Sequence, residues 1–118
     1  MTSVADLPLL ELSSDSGETF PVDDPATGDR VHEVPRLGAA ETNRALRAAE
    51  EALPAWRGLL AKERAGIMRR WSELMLGDAE ALARLLTIER GKPLAESRVE
   101  IEYAASFLEY LCMGGVDA

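Results

Sequence analysis

Two residue types with chemical reach occur once each in this chain, Cys112 and His32, and Lys92 stands in a Gly-Lys-Pro triplet. A cysteine attacks only as its thiolate, which needs a neighbouring cation, a helix N-terminus or a base to lower its pKa. Cys112 falls instead between Leu111 and Met113 near the expected end of a helix, where the dipole disfavours negative charge. It reads as a buried structural thiol. Lys92 lacks the glycines ahead and the Ser or Thr behind that a phosphate-binding loop requires, so it reads as a helix-end charge. His32 lies between Val31 and Glu33 with no second histidine at metal-ligand spacing, and is expected on a strand surface. Gly114-Gly115 matches only a fragment of the spaced-glycine dinucleotide turn and reads as a helix stop. On these grounds no catalytic residue and no cofactor-binding residue is assigned.

The elements that would position these residues are mostly helical. Residues 1–16 form an irregular leader in which Leu9, Leu10 and Leu12 can make a short strand. A β-ribbon follows. Residues 18–22 are extended, 24–29 (Asp-Pro-Ala-Thr-Gly-Asp) are rich in turn formers, and 30–34 alternate polar with apolar. Pro21 and Pro25 place the first strand at an edge, and Pro35 ends the second.

Four helices come next. Ala45, Leu46, Ala49, Ala52 and Leu53 recur at helical spacing over 40–53, and Pro54 marks a break. Over 62–76 the stripe is Ala65, Met68, Trp71, Leu74 and Met75. Gly77 and Asp78 suit a left-handed helix stop and an N-cap for a third helix over 79–90, with Leu82, Leu85, Leu86 and Ile88 inward. Trp56 and Trp71 are expected in the core.

Gly91 suits the left-handed position after that helix, and Pro93 suits the first residue of a fourth over 94–113. This last helix is polar at its start (Glu96, Ser97, Arg98, Glu100, Glu102) and then reads YAASFLEYLCM from Tyr103 to Met113. A helix apolar on all sides is normally buried on all sides. With nothing after it to cover it, the chain is expected to be the opening portion of a larger protein.

Composition excludes several partners. A net charge of −8 over 118 residues, with Arg64, Arg69 and Arg70 interspersed among acids, disfavours nucleic acid and anionic membrane surfaces. No apolar run approaches the ~20 residues that span a bilayer. The N-terminus lacks the basic and apolar regions of a signal peptide, and a single cysteine forms no intrachain disulfide, which fits the cytoplasm.

GKPLAES followed by EIEYAASFLEY resembles a signature near the start of aldehyde dehydrogenases, closest to the succinate-semialdehyde dehydrogenase branch. DDPATGDRVHEVP (23–35), ALPAW (52–56), AKERAGIMRRW (61–71) and ALARLLTIERGKP (81–93) agree in order, so the resemblance runs from about Gly17 to Gly114. It implies a fold class: mostly α with a short N-terminal β-ribbon, the N-terminal part of the α/β aldehyde dehydrogenase fold, truncated before the doubly wound cofactor-binding sheet. Residues 17–118 would then be an incomplete piece of the cofactor domain.

The implied activity is NAD(P)-dependent oxidation of an aldehyde to a carboxylic acid. In that reaction a cysteine thiolate attacks, hydride passes to the nicotinamide, and a glutamate-activated water releases the product. None of those residues matches a position here, so this chain alone is expected to be inactive and to bind neither NAD nor NADP. Its partners would be the remainder of the aldehyde dehydrogenase fold or a homo-oligomer, with the aldehyde bound only by the full-length family. The resemblance also places Glu100 where some members hold a monovalent cation, completed by backbone oxygens around Val22 and Asp23, with Asp24 where the family usually has Asn. Carboxylate and carbonyl oxygens suit a hard cation. A reading from another class is a small acidic helical module that binds a partner through its apolar C-terminal helix.

Overall fold

The computed structural model describes residues 14–114. Leu9, Leu10 and Leu12, expected in a short strand, lie outside the described residues, as does Gly115. The described part is mostly helical with one two-stranded antiparallel ribbon, which agrees with the expected class.

Strands β1 (Thr19–Asp23) and β2 (Arg30–Pro35) pair with Phe20 opposite Val34 and Val22 opposite His32. Arg36 N–H donates to the Glu18 carbonyl at 2.8 Å. Because paired positions alternate along an antiparallel ladder, Phe20 and Val22 then turn their backbone groups toward β2, whereas Thr19 and Pro21 face outward. The donor that Pro21 lacks is therefore missing from a free edge, where it costs nothing. The turn is closed by Asp24 N–H to the Asp29 carbonyl (2.8 Å) and by the Asp24 side chain accepting from Ala26 N–H (2.7 Å). Gly28, at φ 77°, takes the left-handed position such a turn needs.

Helix α1 (Ala39–Gly58) does not break at Pro54 but contains it. Proline's fixed φ is helical, and no residue of α1 is buried, so water can satisfy the carbonyl one turn upstream. At its start, Glu41 reaches back to the Gly38 N–H (3.0 Å) and also accepts from the Asp15 N–H (3.0 Å). The first bond is the return half of a capping box at the helix N-terminus, and the second ties the turn before β1 to that helix start. Arg44 then grips Asp15 through two parallel bonds of 2.7 and 2.8 Å.

Helices α2 (Ala61–Gly77) and α3 (Ala79–Arg90) share Asp78 as their joint. Gly77 is the last residue of α2 and is not left-handed, and Asp78 caps neither end with its side chain. The expected glycine stop is thus replaced by a tight joint in which Asp78 N–H bonds Leu74 and its carbonyl accepts from Leu82. Gly91 does adopt the left-handed C-cap, φ 69°, with its N–H on the Thr87 carbonyl at 2.8 Å. Helix α4 (Leu94–Gly114) starts at the expected Leu94, with Pro93 standing just before it rather than as its first residue, its carbonyl accepting from Glu96 and Ser97.

The core is where α4 crosses α2 and α3, and it is made of small side chains: Ala81, Ala83, Ala105, Ser72, Ser97 and Cys112, with Leu108. Small residues let helix axes approach closely. Ser72 donates to the Ala105 carbonyl across the α2–α4 contact at 3.1 Å, and Thr87 and Ser97 bond at 2.8 Å across α3–α4. The large side chains expected inside lie outside: Trp71 is 56% and Trp56 37% exposed, and the Leu46–Leu53 stripe of α1 is uncovered. The sequence stripe on α2 is shifted, because Ser72 rather than Trp71 turns toward α4.

Helix α4 is buried on one side only. Ala105, Leu108 and Cys112 point inward, while Val99, Tyr103, Phe107, Tyr110 and Leu111 are exposed, Tyr110 by 72%. Tyr103 and Phe107 meet edge to face with centroids 4.7 Å apart. Nothing in the preceding helices covers this face.

Candidate functional site

The ribbon turn and the α3–α4 junction come together around Gly91. A Cβ on Gly91 would lie 2.8 Å from Pro25 Cγ, so the turn rests directly on the helix stop. One residue pair ties the ribbon to α3: His32 Nε2 lies 3.0 Å from Glu89 Oε1. His32 is therefore half-buried and partnered, not the free strand-surface residue its neighbours Val31 and Glu33 suggested.

The three residues expected near a cation fall in this region with different neighbours. Glu100, one and a half turns into α4, accepts a hydrogen bond from the Lys92 ammonium at the α3–α4 junction. That bond, then the Lys92 charge, hold the Glu100 carboxyl below the usual carboxylate range, with a smaller contribution from Arg90. Asp23 lies 3.8 Å from Arg30 Nε, and Val22 is half-buried opposite His32. Among the described residues no group of three or more His, Cys, Asp and Glu side chains is arranged to hold a metal ion. Each acid of the expected set thus has a basic partner within the chain.

Lys92 was legible as a helix-end charge, but its partner was not. The two residues are eight apart across a junction, and only the turn at Gly91 and Pro93 brings them together. The same holds for Glu80, which accepts from Arg98 at 2.8 and 3.0 Å and from Arg84 at 2.8 Å. Arg84 stands at i+4 and could be read from the sequence; Arg98, on the next helix, could not. The Arg98 bonds, before the charges of Arg98 and Arg84, hold the Glu80 carboxyl below its ordinary range.

Cys112 is 1% exposed, its Sγ 3.0 Å from the Leu108 carbonyl oxygen and 3.3 Å from that of Ala65. The thiol faces two carbonyl oxygens and is closed off from solvent, so it is packed as a core side chain. Nearby, Trp56, Ala65, Met68 and Leu111 line a shallow apolar recess between α1, α2 and α4, with Arg64 at its side. Among the described residues no helix is long and apolar enough to cross a membrane.

The chain is similar to known proteins along most of its length. The model of the Aldehyde dehydrogenase family matches residues 12–115. Glutarate-semialdehyde dehydrogenase of Pseudomonas aeruginosa is 59% identical over 99 residues, which are 84% of this chain and 20% of that protein. The NADP-dependent succinate-semialdehyde dehydrogenase GabD of Escherichia coli is 53% identical over 104 residues, 88% of this chain and 22% of that protein. Among solved structures, succinate-semialdehyde dehydrogenase from Burkholderia pseudomallei superposes with a TM-score of 0.84 at 52% identity, covering 86% of this chain and 21% of that one. The chain spans about one fifth of the length of the curated relatives it matches.

Proposed function

The chain belongs to the aldehyde dehydrogenase family, and from that premise we propose that it serves as the N-terminal portion of an NAD(P)-dependent enzyme of the succinate-semialdehyde dehydrogenase type. The reaction is oxidation of a small carboxylate-bearing aldehyde to the acid, in the cytoplasm. Residues 17–118 supply the ribbon and four helices to the cofactor domain and leave the chemistry to the rest of the fold. One observation carries this reading beyond the likeness itself: most of the large apolar side chains of α1, α2 and α4 face outward around a core of Ala, Ser and Cys with the single leucine Leu108. Exposed apolar surface on this scale marks a face shaped to be covered.

The same geometry supports this division of labour. The only cysteine is sealed between carbonyl oxygens. The glutamates with depressed carboxyls, Glu41, Glu80 and Glu100, are held ionised by their hydrogen-bond donors and so are poor proton shuttles near neutral pH. NAD or NADP is a property of the whole fold in this reading, and the isolated chain binds neither. The apolar α4 face equally suits a free-standing interaction module, but the identity to semialdehyde dehydrogenases favours the first reading.

We extend the proposal to a monovalent cation held by the Glu100 carboxylate and backbone oxygens of Val22 and Asp23. The oxygen types suit a hard ion, and the ion would share Glu100 with Lys92. Anomalous scattering from rubidium beside Glu100 in crystals of a full-length protein carrying this segment would support it, and its absence there would end it.

The main reading is tested by a graft. Residues 12–115 replace the matching segment of the Escherichia coli NADP-dependent enzyme, and the purified chimera is assayed with succinate semialdehyde. Turnover within about tenfold of the parent, a barrier change of ~1.4 kcal/mol, supports the reading. A folded chimera without activity contradicts it.

A further inference from the structure

We propose that the outer face of α4 is a docking surface for an apolar segment rimmed by lysine or arginine. That such a segment is supplied by the rest of the fold rests on the function proposed above; its chemistry is set by α4 itself. Val99, Tyr103, Ser106 and Tyr110 recur at intervals of four, three and four, so they form one seam opposite the buried Ala105, Leu108 and Cys112. Glu102 and Glu109, seven residues apart, lie along one flank of that seam, and both are exposed. Neither has an ion-pair partner among the described residues, and Arg98, one turn before Glu102, is engaged with Glu80.

An aromatic seam edged by unpaired carboxylates selects its occupant by sign. Anionic membrane and nucleic acid are repelled by Glu102 and Glu109. A second copy of the chain is disfavoured too, because a two-fold pairing along α4 would set these carboxylates against their own kind. An apolar stripe with Lys or Arg beside it fills the seam and neutralises both acids.

Two labelled synthetic helices serve as probes, one of Leu and Lys and one of Leu and Glu at the same amphipathic spacing. Their binding to the 118-residue chain is followed by fluorescence anisotropy. The Lys probe binds at least about tenfold more tightly than the Glu probe. The pair Glu102→Gln/Glu109→Gln removes most of that preference, and Tyr110→Ser weakens both probes. All of these side chains are exposed, so circular dichroism should report an unchanged fold. The pair Glu50→Gln/Glu51→Gln on α1 removes the same charge at a distance and leaves the preference intact. Equal loss from the α1 pair, equal binding of the Glu probe, or sedimentation showing a dimer that Tyr110→Ser abolishes would each overturn the proposal. None of those results touches the graft experiment, so failure of this inference and failure of the enzyme reading remain distinguishable.

Discussion

Pro25 and Gly91 are in contact because Gly91 has no side chain: its left-handed backbone leaves a Cβ position only 2.8 Å from Pro25 Cγ. This contact seats the ribbon on the helix junction. Gly91→Ala should therefore destabilise the protein twice, by the left-handed strain of about 1–2 kcal/mol and by displacing the ribbon. Urea denaturation of Gly91→Ala alone and combined with Pro25→Ala should show the second change recovering the steric part only. Full tolerance of Gly91→Ala would mean that the turn does not rest there.

The Thr87–Ser97 bond should behave as a buried pair. Ser97 is fully buried, and its 2.8 Å bond to Thr87 joins α3 to α4. Ser97→Ala strands the Thr87 hydroxyl and should cost about 1–3 kcal/mol. Thr87→Val with Ser97→Ala should cost less than the two single changes summed, because both partners leave together. Additive losses would show that the bond contributes nothing.

How much of this was legible in the sequence divides along a physical line. Helix α3 occupies 79–90 as its apolar spacing and the glycine at 91 indicated, because those signals act within one turn of chain. Pro54 misled because a proline near the end of an exposed helix loses only a bond that water replaces. Trp71 misled because a stripe shows which residues share a face, not which face meets the neighbour; Ser72 won since small residues allow close crossing. Val22, Asp23 and Glu100 were named for an ion through family resemblance, and the Lys92 partner of Glu100 depends on tertiary geometry that no local pattern carries.

Acid should unfold the chain through its depressed carboxyls. Hydrogen bonds from Arg98 and Lys92 hold the Glu80 and Glu100 carboxyls below the usual glutamate range in the folded state, so their stabilisation is present above that range and lost as pH falls through the folded values. The urea midpoint should hold steady from neutrality to about pH 5 and then fall. Glu80→Gln should flatten part of that fall, and salt should do the same by screening these exposed pairs. A midpoint that rises on acidification would contradict the assignment.

Cys112 should be silent toward thiol reagents until the chain unfolds. Its 1% exposure predicts labelling by a disulfide reagent at the rate of global opening, accelerating in step with urea unfolding. Rapid stoichiometric labelling of the native chain would show an accessible thiolate. In the active chimera, Cys112→Ala should leave turnover unchanged.

The most direct test uses the purified 118-residue chain itself, mixed with succinate semialdehyde and either NAD or NADP and followed for reduced nicotinamide. No aldehyde-dependent reduction above buffer is expected, because in the proposed function this segment supplies surface and leaves the reacting groups to the rest of the fold. Sustained turnover that disappears in Cys112→Ser would contradict it.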